Sequence, residues 1–256
     1  MTASATNPLQ HRHMAALLTG AAFLAALTLY AYAMLFPVLS QDDFQILAQS
    51  WTWQKTVDGL WTPNNEHAMP LGRLLTFVVV QLAGRPAALP FVGVLTGVVG
   101  LLIGMGLTYA FVRRELGHPL YGLTALILFS VSSVYQQAVY WFAAGFSVYA
   151  MDVLLLALLA AQRHRQTRRG RWLFACGLCC ALAPCWFASG VLAGPLCCLY
   201  LLPREDTGLT RLKQPWHTLA ALTPLLGTMA FLAVSLPLTA SVIQHLEHYR
   251  LSLIHI

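Results

Sequence analysis

Charge is scarce in this sequence. Only 9% of its 256 residues are Asp, Glu, Lys or Arg, against roughly a quarter in a soluble globular domain, and 58% are hydrophobic. That balance argues against a water-soluble fold. The charges also leave long gaps, since none falls in 14–41, 86–112, 119–151, 172–203 or 214–246. Each gap can hold the roughly 20 apolar residues that cross a bilayer as a helix. Alternation with period two is missing too, because the gaps are continuous in Leu, Ala, Val and Gly, which argues against a membrane β-barrel. No small-x-small cleavage site precedes Gln41-Asp42-Asp43, and Met14 to Val38 is longer than the apolar core of a secretory signal, so it is expected to stay as a first helix. The expected fold class is all-α, a polytopic transmembrane protein with a long outer loop, 40–70, after the first helix.

The net charge of +6 would point to nucleic acid if the basic residues shared one polar surface. Eleven of the fifteen instead lie at Arg12 and in 113–114, 163–171 and 204–213, where they report topology, so no nucleic-acid partner is expected. Arg12 before the first helix (Met14 to Leu39) and Asp42-Asp43 after it predict a cytoplasmic N-terminus. Leu71 to Gly84 spans about 14 residues, roughly 21 Å, and is short for a bilayer crossing. If it returns to the outer face, Arg113-Arg114 and Arg163 to Arg171 both fall in the cytoplasm, as the positive-inside rule requires. The spacing then predicts a span over Phe91 to Val112, an ascent over Pro119 to Val134, an outer turn over Tyr135 to Gly145 and a descent over Phe146 to Gln162. A hairpin broken at Pro184 follows within 172–202, and a last span covers Thr218 to Ser241. All six cysteines lie inside the hairpin and read as small packing residues, although Cys176, Cys179 and Cys180 share a helix face.

The last six residues, Leu251-Ser252-Leu253-Ile254-His255-Ile256, translate CTG TCT CTT ATA CAC ATC, which looks like a transposase adapter used in shotgun sequencing. Residues 251–256 are therefore expected to be adapter translation, and 1–250 the N-terminal part of a longer membrane domain.

Chemistry concentrates in the outer loop. Trp51, Trp53 and Trp61 suit short helices lying in the headgroup layer, as Tyr140 and Trp141 suit interfacial anchors. Asp42 and Asp43 are adjacent carboxylates at what reads as a helix end, where mutual repulsion calls for an ion, a basic partner or proton chemistry unless solvent alone screens it. Asn65-Glu66-His67 and Arg73 close the same loop. His67 could hold a divalent cation together with Asp42, Asp43 or Glu66, or act only as a hydrogen-bonding residue. His245 and His248, around Glu247, read as the polar face of an outer helix. Asp152 lies within an apolar run, where an unpartnered carboxylate costs roughly 3 kcal/mol, so it is expected to face a cavity or a partner.

Asp42-Asp43-Phe44 after the first helix, followed by Asn65-Glu66-His67, Pro70-Leu71 and Arg73, resembles the GT-C superfamily of polytopic glycosyltransferases, whose members include protein mannosyltransferases and lipid A aminoarabinose transferases. The resemblance implies a bacterial inner-membrane enzyme moving a sugar from a polyprenyl-phosphate donor to an acceptor, of unknown identity, at the outer face. It implies Asp42 or Asp43 as general base, Arg73 as the contact to the donor phosphate, and Glu66, His67 and Asp152 as substrate-binding residues. Two departures stand out: Ala68 occupies a position where Arg is usual, and Cys185-Trp186-Phe187-Ala188 stands where a lysine is common. A transporter or flippase for lipid-linked precursors is the rival reading, favoured by Asp152 and opposed by the lack of an internal repeat. A purely structural membrane subunit would leave both loop clusters unexplained.

Overall fold

The computed structural model describes residues 37–64, 68–132, 136–202 and 215–254, with scattered positions between 14 and 35. Among these residues the chain is all-helical, with no β-strand. The scattered positions from 14 to 35 are helical, and 37–40 are not. Pro37, which has no N–H and crowds the preceding turn, accounts for a break short of the expected Leu39. Asp42 and Asp43 therefore open a new helix, α1 (Gln41–Gln49), rather than closing the first one. α2 (Trp53–Asp58) is capped by the Thr52 hydroxyl, which accepts from the Lys55 amide at 3.3 Å.

α3 (Pro70–Ala83) starts on a proline and stops at Gly84, whose φ of 61° only glycine adopts without cost. Its 14 residues match the expected short piece. A 3₁₀ turn at Pro86–Ala88 leads into α4 (Leu89–Leu116), and α5 (Pro119–Ser130) and α6 (Gln136–Tyr140) follow. α7 (Phe142–Thr167) comes next, starting four residues before the expected Phe146. α8 (Gly170–Leu182) and α9 (Ala193–Leu201) flank two 3₁₀ turns, the first containing Pro184, and make the expected broken pair. α10 covers Pro215–Ile254.

Among the described residues, three stretches are long and apolar enough to cross a membrane: Pro86–Leu116, Phe142–Thr167 and Leu219–Leu238. The others, Pro70–Ala83, Pro119–Ser130, Gly170–Cys185 and Ala188–Leu201, are shorter. Large apolar side chains point outward, as with Phe174 at 73% exposure, an arrangement suited to lipid and unfavourable in water.

Between apolar helices in lipid, close packing replaces hydrophobic burial as the cohesive force, and small residues make it possible. α4 meets α7 and the preceding α6 along one glycine-bearing face: Gly93 faces Phe142, Gly97 faces Ala138 and Val139, Gly100 faces Val148 and Tyr149, and Gly104 faces Asp152. Ala157, Ala160 and Ala161 of α7 likewise admit Cys176 and Cys180 of α8 and Cys197 of α9. The three thiols are fully buried, with sulfurs within 4.8 Å of one another, and fill the seam as small side chains. Backbone also packs against backbone at Gly190, where a β-carbon would overlap the Ala183 carbonyl and the Pro184 nitrogen. Since backbone cannot yield as a side chain can, Gly190→Ala is expected to destabilise the purified protein by about 1–3 kcal/mol. Gly106→Ala, which meets nothing within 4 Å, should leave the thermal midpoint level or raise it. An unchanged midpoint for Gly190→Ala would refute this packing of the hairpin.

Candidate functional site

α1, α3 and the start of α7 converge through Ile46, Leu47, Met69, Val79, Val80 and Phe146, with Gly72 so close to Phe146 that a β-carbon would sit 2.9 Å from its ring. On this base the polar residues of the outer loop take their places.

Asp43 is fully buried. Its Oδ2 accepts the Ser40 amide at 2.8 Å, the backward half of a capping box, and its Oδ1 accepts the Ala143 amide at 2.8 Å. Ala143 lies in the first turn of α7, where amides have no partner within the helix. One carboxylate therefore starts two helices whose sequence positions differ by 100 residues. Burial pushes its pKa up from the ordinary aspartate value; the amides of Ser40, Ala143 and Phe142 pull it down without cancelling that rise, and neighbouring Asp42 adds to it. The repulsion expected of two carboxylates closing a helix is eased by their actual position, the first turn of α1, where the helix dipole favours negative charge.

Arg73 is 1% exposed. Its Nη1 donates to Gln49 Oε1 at 2.6 Å and its Nη2 to the Thr62 carbonyl at 2.8 Å, while Nε finds no partner. Among the described residues it forms no ion pair, although the guanidinium is permanently charged. Asp43 stands near the start of α1 and Gln49 at its end, six residues or roughly 9 Å along the axis. α1 thus ties together the two residues that the sequence grouped, without a bond between them. Asp42 is half-buried and meets no hydrogen-bond or ion-pair partner among the described residues.

Glu66 and His67 lie outside the described residues, as do His255 and the segment 204–213. Of the four residues proposed for a divalent cation, Asp43 already has both oxygens engaged by amides, so Asp42 is the one described residue left to bind.

Asp152 sits in α7, nine residues past Ala143 and so roughly 14 Å deeper. It is 3% exposed, neither oxygen has a partner among the described residues, and a β-carbon on Gly104 would approach Oδ1 to 2.7 Å. The structure therefore separates Asp152 from the loop residues. The expected hydrogen-bond partner is not among the described residues.

Buried polar atoms without partners are few in native proteins. Eight occur among the described residues, and five of them, Ser50 Oγ, Asn64 Oδ1, Arg73 Nε, Tyr140 OH and Trp141 Nε1, gather around α1, its following loop and the start of α7. A cavity of about 460 Å³ lies there, lined by Val38, Ser40, Gln137, Tyr140 and Trp141. Gln49 and Thr62, which hold Arg73, carried no signal in the sequence. Tyr140 and Trp141 did carry one, as aromatic residues in an outer turn, but it pointed to membrane anchoring.

No family model, curated protein or solved structure matches the chain.

Proposed function

We propose that the chain belongs to a membrane glycosyltransferase that moves a sugar from a polyprenyl-phosphate donor to an acceptor hydroxyl at the outer face of a bacterial inner membrane. The observation carrying this reading is the cavity at the start of α1, where the buried Tyr140 OH and Trp141 Nε1 have no partner and lie beside Ser40 and Gln137. Polar groups left in that state are satisfied by a polar ligand. Trp and Tyr beside Ser and Gln suit a sugar ring, which offers an apolar face and a hydroxyl rim.

In the reaction the acceptor oxygen bonds to the anomeric carbon as the bond from that carbon to the phosphate oxygen breaks. The acceptor proton passes to a carboxylate, and the leaving polyprenyl phosphate keeps the electron pair. Asp42 is the better base of the pair, because the oxygens of Asp43 already hold Ser40 and Ala143. Arg73, whose buried Nε has no partner, is the group assigned to the charge that develops on the phosphate.

The deciding assay follows transfer of labelled sugar from a polyprenyl-phosphate donor in membranes reconstituted with the protein. Arg73→Ala is expected to weaken donor use by about 2–5 kcal/mol. Full activity in that variant would remove Arg73 from the site. The rival reading, a transporter or flippase for the same precursors, is favoured by Asp152, an unpartnered buried carboxyl within a span. Donor crossing the bilayer without sugar transfer would establish it.

The same reading sets a topology. Cysteine labelling is expected to find 40–64 and 136–141 outside and 163–171 in the cytoplasm. Labelling of 163–171 from outside would overturn it.

A further inference from the structure

The far end of α7 carries a second polar centre, which the transfer reaction does not use. Gln162 lies 19 residues beyond Ala143, roughly 29 Å along the helix, which matches the ~30 Å thickness of a bilayer's hydrocarbon core. If Asp43 and Ala143 sit at one headgroup layer, Gln162 sits at the other. Around it a cavity of about 340 Å³ is lined by Arg114, Glu115, Gln162, Arg165, Gln166, Arg168 and Tyr200.

Its charges are arranged, not merely accumulated. Glu115 is the one carboxylate among the described lining residues and is engaged by the Tyr200 hydroxyl, by Gln162 Nε2 at 2.9 Å and by Arg165 at 3.6 Å. Arg165 lies over the Tyr200 ring, 4.8 Å from its centroid, so its guanidinium is held before any ligand arrives. Arg168 ends α7 at a φ of 55°, a region L side chains occupy only at a cost, and the turn there leaves its side chain on the cavity rather than a glycine. Among the described residues, the lining carries three guanidinium groups and one carboxylate.

Gln162 supplies the second observation. Its side chain is 2% exposed, and its Nε2 is oriented by two acceptors, Glu115 Oε2 and the Phe111 carbonyl at 3.5 Å. That leaves Oε1 as a buried acceptor with no donor among the described residues. A simple anion would satisfy the arginines and leave this oxygen orphaned.

We propose that this cavity binds a phosphate-bearing anion that also carries a hydroxyl group, the chemistry of a glycerophosphate headgroup, with the arginines on the phosphate and Gln162 Oε1 accepting from the hydroxyl. Arginine suits the first role because its planar donors match phosphate oxygens in pairs. The inference does not depend on the transfer reading, and its test involves no sugar.

The test is calorimetric titration of the intact protein in neutral detergent with short-chain phosphatidylglycerol, glycerol phosphate, inorganic phosphate and short-chain phosphatidylcholine. Saturable binding of phosphatidylglycerol or glycerol phosphate is expected, at least tenfold tighter than inorganic phosphate or phosphatidylcholine. Preference for the lipid would identify a membrane headgroup as the ligand, and equal binding of glycerol phosphate a soluble one; either supports the site. Arg114→Gln combined with Arg168→Gln, both exposed positions, should weaken binding at least tenfold while the helical content stays that of the parent. Arg163→Gln combined with Arg169→Gln removes the same charge from outside the cavity and should change binding less than twofold. Equal losses from the two pairs would mean diffuse attraction to a basic surface and overturn the proposal, as would binding of none of the four probes. Inorganic phosphate binding as tightly as glycerol phosphate would overturn the role of Gln162.

Discussion

Asp42→Asn is expected to lower sugar transfer by roughly 100- to 10,000-fold, the range a positioned general base contributes, while the protein inserts and melts like the parent. The two halves of this expectation have separate origins. Asp42 meets no partner among the described residues, so replacing one carboxylate oxygen by an amide nitrogen breaks no described contact. The amide cannot take up the acceptor proton at neutral pH, and the reaction loses the group that makes the hydroxyl nucleophilic. The measurement is the transfer rate in reconstituted membranes, read beside the thermal midpoint of the same preparation. Parent-like transfer would remove Asp42 from the chemistry.

Asp43→Ala should give the opposite pattern, a protein damaged in its fold before its chemistry can be assayed. Removing the carboxylate strands the buried Ala143 amide and leaves the half-buried Ser40 amide without its acceptor. An orphaned buried donor costs about 1–3 kcal/mol, so the loss should be at least that large and should appear as a depressed midpoint and poor recovery from membranes. Asp43→Asn keeps the shape and one acceptor oxygen, but turns an NH₂ toward one of the two amides and should fall between parent and alanine. A fully stable Asp43→Asn that has lost transfer would reverse the assignment and make Asp43 the base. Because the two variants differ by one position, the comparison separates a helix cap from a proton acceptor within the same turn.

The all-helical class and the coarse order of segments were legible in the sequence because the signals for them are local. A charge-free run of more than 20 residues has few ways to satisfy its backbone in a bilayer except as a helix. Pro70 at the start of α3 and Gly84 after it bracket a 14-residue helix, and Pro184 splits the last hairpin, since proline and glycine act on the backbone where they stand. Acidic, amide and aromatic residues clustered in one loop likewise marked the region where unpartnered polar atoms collect.

What those residues do was decided by packing. α7 begins at Phe142 instead of Phe146 because its capping acceptor, Asp43, belongs to another helix; Trp141, the residue at the cap position, supplies no side-chain acceptor. Arg73 is held by Gln49 and Thr62, 24 and 11 residues away, at spacings to which no periodicity points. Glu115 follows Arg113 and Arg114 and reads in sequence as one more charge at a membrane boundary. Only the approach of α7 and α9 brings it Gln162 and Tyr200. Hydropathy and chain breakers act within a few residues, so they determine where helices form. A hydrogen bond between distant segments exists only after those helices have packed, so which carboxylate caps a helix and which remains open is a property of the tertiary fold.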